Sequence, residues 1–180
     1  IYVYSREGGF YRCSKEASEN YIKEYKKIFD LDYTIIRYGS LYGPRSNDEN
    51  GLYKVVKEAI LKNKIVYFGN KEAIREYIHI QDAARSSIEI LKKNFSNKEV
   101  ILTGQQSMKV YDVLNMLKEI LNLDVKVEFQ NKKNVGHYTT SPYAYKEDLS
   151  LKYVPSLYID FGLGLSELVK QIKNELKNKK

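Results

Sequence analysis

With 180 residues, 43% of them hydrophobic, and a formal net charge of +7, the chain can bury a core and is not a disordered protein. No apolar run approaches the ~20 residues that cross a bilayer, no signal-like n-region and h-region is found, and no membrane partner is expected. The single cysteine, Cys13, excludes an internal disulfide framework and points to a reducing compartment, the cytoplasm; two histidines without a cysteine cluster argue against a zinc site. The lysines spread along most of the chain, as on a solvated surface; their field would also attract a diphosphate.

The chain opens on an apolar-aromatic segment, Ile1-Tyr2-Val3-Tyr4, that reads as a cut within a longer protein. Residues 1–9 read as an extended piece broken by Gly8-Gly9. Ala17, Tyr21, Ile22, Tyr25, Ile28 and Phe29 then recur at helical spacing over positions 10–29. On that helix Tyr11 and Lys15 stand four residues apart, so their side chains emerge one turn apart. An ammonium beside a phenol favours the phenolate and suits it to proton transfer, and a helix holds the pair rigid. Tyr53/Lys57 and Tyr67/Lys71 share the spacing, and in a chain with 17 tyrosines both read as accidents of composition.

Tyr33 to Ile36 is a compact β-branched run, a buried strand. Arg37-Tyr38-Gly39-Ser40-Leu41-Tyr42-Gly43-Pro44-Arg45 follows; its glycines and proline predict a shaped loop at the strand's carboxyl end, where open α/β sheets bind ligands. Leu52, Val55, Val56, Ala59 and Ile60 mark a helix. Ile65 to Phe68 and Arg75 to Ile80 read as strands, with Asp82 as the N-cap of a helix through Ala83, Ile88 and Leu91. Val100 to Thr103 is another buried strand, and Ser107 is expected to cap the helix carrying Val110 to Leu121. Val125 to Phe129 alternates as a half-exposed strand does, residues 130–160 read as irregular, and a last amphipathic helix runs through Leu163 to Leu176. Helices alternating with strands predict α/β, yet no glycine-rich phosphate loop occurs in these residues.

Three motifs stand in a fixed order: Tyr11-x-x-x-Lys15, the Arg37–Arg45 segment, and Arg75-Glu-Tyr-Ile-His-Ile-Gln-Asp82. Together they resemble the second half of the extended short-chain dehydrogenase/reductase family, specifically its NAD-dependent nucleotide-sugar epimerases and dehydratases. The resemblance implies the second half of a Rossmann-type doubly wound parallel sheet plus a small α/β substrate-binding domain. Residues 1–45 would end the dinucleotide-binding domain, and 46–180 would be mainly substrate-binding, with some segments returning to the Rossmann sheet. It further implies that Tyr11 is the acid/base on a sugar hydroxyl or C4 ketone, and that Lys15 binds the nicotinamide ribose. Tyr38 and Ser40 would join them at the cofactor, NAD with NADP as the alternative. Ser40, Asn50, Phe68 and Arg75 would contact the nucleotide-diphosphate sugar, Arg75 because a guanidinium fork matches phosphate oxygens.

Gly39 and Ser40 depart from the usual Phe-Asn of the family's loop. The late arginine of the family is missing from Gly136-His137-Tyr138 to Tyr143, where His137 or Tyr143 stand instead. The family's Ser or Thr acid/base partner is not matched by Ser5. A homodimer through helices is also implied. Two rival readings remain: a sugar-nucleotide-binding module without chemistry, and a basic nucleic-acid binder, which lacks a basic patch interleaved with aromatics.

Overall fold

A computed structural model of the chain describes residues 9–130 and 151–178. Helix α1 spans Gly9–Phe29 and strand β1 Thr34–Tyr38. One residue later β2 begins, Ser40–Tyr42, followed by α2 Gly51–Lys62, β3 Ile65–Phe68, β4 Ile74–His79 and α3 Ile80–Glu89. Then come β5 Lys98–Leu102, β6 Ser107–Lys109, α4 Val110–Leu121, β7 Val127–Gln130, β8 Leu151–Tyr153 and α5 Phe161–Asn178. The fold is α/β, and the described strands form three small sheets. β1, β5 and β8 pair in parallel in the order β1-β5-β8. β2 runs parallel to β4, which takes β6 antiparallel on its other side. β3 and β7 form a parallel pair.

The helices are where the apolar periodicity puts them. Leu52, Val56 and Ala59 of α2, Val113, Leu114 and Leu117 of α4, and Leu165, Leu168 and Ile172 of α5 meet in one buried cluster. A second cluster gathers Ile78, Ala83, Ile90, Val100 and Leu102 between α3 and the central strand, β5, of the first sheet. Asn50 caps α2, its side chain accepting from the Tyr53 amide at 3.0 Å. Asn63 and Asn122 close α2 and α4 in the left-handed conformation that asparagine tolerates.

Four expectations need correction. Arg37 and Tyr38 finish β1, and Ser40–Tyr42 form strand β2 rather than loop. Three residues suffice for that strand because β4 supplies a parallel partner, in the register Ser40↔Tyr77 to Tyr42↔His79. Asp82 is not the N-cap of α3. His79 is, its Nδ1 accepting from the Gln81 amide at 3.3 Å, while the buried Asp82 lies inside the first turn. Ser107 does not cap α4; it lies in β6 and donates to Glu76 Oε1 at 2.7 Å, and Lys109 precedes the helix without a side-chain cap. Within 130–160, Leu151–Tyr153 form a strand, because β5 offers it an edge. Ser5, His137, Tyr143 and the extended reading of residues 1–8 lie outside the described residues.

The first and second sheets meet at the carboxyl ends of β1 and β5. Chain passes from β1 to β2 through Gly39 alone, whose amide donates to the Leu102 carbonyl at 2.9 Å. Just past β5, a Cβ at Gly104 would stand 1.9 Å from the Tyr77 carbonyl oxygen. Backbone cannot yield there as a flexible side chain could. Gly104→Ala is therefore expected to destabilise the fold by about 3 kcal/mol, as overpacking in a close-packed interior does. Urea unfolding at constant m-value checks this, and an unchanged midpoint contradicts the close approach.

Candidate active site

Helix α1 buries no residue completely, and Phe10, Tyr21, Tyr25, Ile28 and Phe29 are exposed. What ties it to the sheet among the described residues is charge. Arg37 on β1, 5% exposed, donates from Nε to Glu19 Oε1 at 2.8 Å and from Nη2 to Glu19 Oε2 at 2.5 Å. The same Nη2 donates to Glu99 Oε2 on β5 at 2.6 Å, and Lys23 of α1 reaches Glu99 Oε1 at 2.5 Å. Hydrogen bonding to Glu19 raises Arg37's already high pKa. Burial alone would raise the Glu99 pKa, but Lys23 and Arg37 together hold it below the ordinary carboxylate value.

These contacts orient the helix. Glu99 sits opposite Ile35 in the β1–β5 register, so moving from Glu19 to Lys23 along α1 runs from Arg37 back towards Ile35. Helix and strand are antiparallel, and the start of α1 lies towards the carboxyl end of β1. Tyr11 is eight residues before Glu19, about 12 Å along the axis. At ~3.3 Å per strand residue that carries it three or four positions beyond Arg37, level with β2. Lys15, halfway, reaches the level of Tyr38 and Gly39. Both side chains are exposed, and the Lys15 ammonium lies 5.5 Å from the Tyr11 ring centroid.

Tyr38 ends β1, and its hydroxyl lies 2.7 Å from Ser87 Oγ on α3. Ser40 and Arg75 come together on the second sheet. Ser40 pairs with Tyr77, Arg75 is two residues before Tyr77, and paired residues of a parallel ladder share a face. The Tyr42 ring lies 6.1 Å from Tyr77 and 5.3 Å from His79, as a common face requires. Arg75 is half-buried, and its Nη1 donates to the Ile74 carbonyl at 2.8 Å. Asn50 contributes elsewhere to local structure: Nδ2 donates to the Leu41 carbonyl at 2.9 Å while Oδ1 caps α2, so it buttresses β2. Phe68 is 41% exposed at the end of β3, paired with Gln130.

The two other Tyr/Lys spacings are committed otherwise. Tyr53 is buried and donates to Glu175 Oε2 at 2.6 Å, and that bond to an anion pushes its pKa up to about 12; Lys57 grips Asp48. Tyr67 and Lys71 do not share a helix, since Tyr67 lies in β3.

Sequence reasoning missed Arg37, Glu19 and Glu99. A charged residue one position from the end of an apolar strand run was the available signal. It also missed Glu76, a 6%-exposed carboxylate beside Arg75 that accepts from Ser107 and from Lys152 Nζ at 3.0 Å. Lys152 is on β8, so this pair ties the second sheet to the first. Next to it a cavity of about 30 Å³, room for a water or two, is lined by Tyr42, Tyr77, His79, Thr103, Gln105 and Phe161. None of the seven expected site residues lines it.

The structural neighbours establish the fold. The UDP-glucose 4-epimerase of Thermotoga maritima, solved with UDP-glucose, superposes with a TM-score of 0.75 at 23% identity, over 92% of this chain and 54% of that one. The UDP-glucuronic acid 4-epimerase of Bacillus cereus, solved with UDP-glucuronic acid and NAD, gives 0.77 at 22% identity, over 92% and 52%. The fold is thus the second half of a Rossmann-type α/β fold with its smaller α/β part. By sequence, the UDP-glucuronate 4-epimerase of Thermodesulfobacterium geofontis is 23% identical over 171 residues, covering 91% of this chain and 53% of that protein. The chain spans about half the length of the curated relatives it matches. Residues 4–104 match the family model described as the NAD dependent epimerase/dehydratase family, and the chain belongs to that family.

His79 gives the site region a pH signature. Its ring is buried, Nε2 lies 3.9 Å from a Glu167 carboxylate oxygen without a hydrogen-bond partner among the described residues, and burial lowers its pKa below the ordinary 6.5 despite Asp82 and Glu167. A depressed folded value means that the unfolded chain takes up the proton first. The contribution of neutral His79 is complete above about pH 6.5 and declines as the pH falls towards the folded value. Denaturant midpoints are expected to drop from pH 7 to pH 5, and to drop less in His79→Asn. Equal slopes in the two proteins would assign the titration to another group.

Proposed function

We propose that the complete protein is an NAD-dependent nucleotide-sugar oxidoreductase of the epimerase/dehydratase type, acting at C4 of the sugar. The observation that carries this reading is the Tyr11–Lys15 pair on a helix tethered so that it projects beyond the carboxyl end of β1, towards the level of Ser40. Membership of the family supports the reaction class, and the nucleotide sugars and NAD in related structures support the ligands.

The residues fit a nicotinamide cofactor. Among the described residues Lys15 has no acidic partner, whereas Lys23, Lys57, Lys109 and Lys152 all do, so its donors are available for ribose hydroxyls. Tyr38 and Ser40 stand at the strand ends level with the pair and complete the cofactor side. When bound, NAD supplies the hydride acceptor for the sugar carbon. Tyr11, as catalytic acid/base, takes the proton of the C4 hydroxyl onto its oxygen, and the Lys15 ammonium steadies the negative charge that oxygen carries beforehand. The ketone left at C4 is the common precursor of epimerisation and dehydration. Arg75 offers a two-pronged donor to the diphosphate, on the same sheet face as Ser40, and Asn50 and Phe68 bound the substrate side.

The same reading places the enzyme in the cytoplasm as a homodimer. The exposed aromatic and aliphatic side chains of α1 favour a partner surface on that helix. No helix among the described residues is long and apolar enough to cross a membrane.

Removing the acid/base is expected to lower kcat by about 10²- to 10⁴-fold in Tyr11→Phe, with the nucleotide-sugar Kd little changed. Arg75→Ala is expected to raise KM about tenfold or more, the worth of one charge-assisted bond. Steady-state assays with UDP- and dTDP-sugars, on protein from its complete reading frame, measure both. Wild-type turnover in Tyr11→Phe defeats the catalytic reading. Nucleotide-sugar binding with no turnover and no response to NAD leaves the binding module in its place.

A further inference from the structure

The reaction proposed above needs Tyr11 and Lys15 to point at one place, and something must set the rotation of α1. Apolar packing does not do so among the described residues, because no side chain of this helix is buried completely. Turning the helix by a single residue would swing the pair through about 100°. The four-residue row Tyr11, Lys15, Glu19, Lys23 winds around the helix by only about 40° per step, so whatever grips the lower two aims the upper two.

We propose that Arg37 is a positioning residue for this reaction: its guanidinium, held between Glu19 and Glu99, sets the rotation and height of α1 and thereby the aim of Tyr11 and Lys15. The inference rests on the reading of Tyr11 as acid/base. Three features of the contact suit it to that task. Both oxygens of Glu19 are engaged, by Nε and Nη2 at 2.8 and 2.5 Å, so the fork fixes an angle as well as a distance. The Arg37 side chain is only 4% exposed and Glu19 and Glu99 are 15% and 17%, so water competes weakly for the contact. A second tie, Lys23 to Glu99 at 2.5 Å, lies one helical turn further along and on the neighbouring strand. Two ties at different heights on two adjacent strands resist rotation and sliding together.

The four charges balance, two positive and two negative. Arg37 is therefore not a surplus cation awaiting an anionic ligand, and it touches neither Tyr11 nor Lys15 through any contact described. Its effect on the chemistry is carried by the helix.

The test uses protein from its complete reading frame, with Arg37→Met, Arg37→Lys, Arg37→Glu, Glu19→Gln, the exchanged pair Glu19→Arg/Arg37→Glu, and Tyr11→Phe as control. Arg37→Lys keeps the charge and loses the fork. It is expected to lower kcat about 10- to 100-fold, the scale of a displacement near 1 Å, and to change the pH profile of kcat. The nucleotide-sugar KM should stay within about threefold, because Arg75 and Ser40 lie on the other sheet. The exchanged pair is expected to recover part of the loss shown by Arg37→Glu alone. Should Arg37→Met fail to fold, Arg37→Lys and Glu19→Gln still decide the matter. Wild-type kcat and pH profile in folded Arg37→Lys and Glu19→Gln, with Tyr11→Phe inactive, overturn the positioning role. An active Tyr11→Phe overturns the underlying reading instead.

Discussion

Everything in this chain is arranged around the seam between two small sheets. β1 passes into β2 across one glycine, and just beyond β5 the backbone of Gly104 lies against the Tyr77 carbonyl with no room for a methyl group. The seam is closed by backbone and buried polar contacts: Gly39 to Leu102, Thr103 Oγ1 to the Glu76 carbonyl at 3.3 Å, and the Glu76–Lys152 ion pair. Apolar contacts could not make such a close approach, since each needs side-chain volume between the strands. By bringing the carboxyl end of β1 against β4, the seam sets Tyr38 and Ser40 within a few residues of Arg75's strand. The proposed site lies where these two strand ends with different partners meet.

The helix in front of the seam is held differently. α1 presents aromatic side chains outward and acidic and basic ones to the sheet, the reverse of an ordinary amphipathic helix on an α/β core. A buried ion-pair network contributes less net stability than apolar packing of the same volume, because both partners lose their hydration. In exchange it is directional. A guanidinium on a carboxylate accepts few geometries, whereas Leu on Leu accepts many. For the proposed task of aiming a phenol and an ammonium, the first kind of contact serves better.

Much of this was legible beforehand because local signals and tertiary structure agreed. Helices α1, α2, α4 and α5 and strands β1, β3, β4, β5 and β7 follow from apolar spacing, which records the burial of one face. The Tyr11–Lys15 pair and the Arg75 motif were visible as spacings. Where reading failed, a partner strand decided. Ser40–Tyr42 is too short and glycine-flanked to announce itself, and becomes β2 only because β4 lies beside it. Ser107 and Asp82 look like caps and serve as partners of Glu76 and of the Ile159 amide, residues distant in sequence. Asn50 also caps α2 and donates to the Leu41 carbonyl, a structural duty that no local spacing announced.

The sequence by itself determined the α/β class, the order of elements, the candidate acid/base pair and the candidate phosphate arginine, because each is written in residues at most eight apart. Only the tertiary structure decided that Arg37 belongs to Glu19 and Glu99, 18 and 62 positions away, and that Ser40 and Arg75 share a sheet face. Charge pairing and strand register depend on which segments meet in space. Neither leaves a periodic trace in the chain.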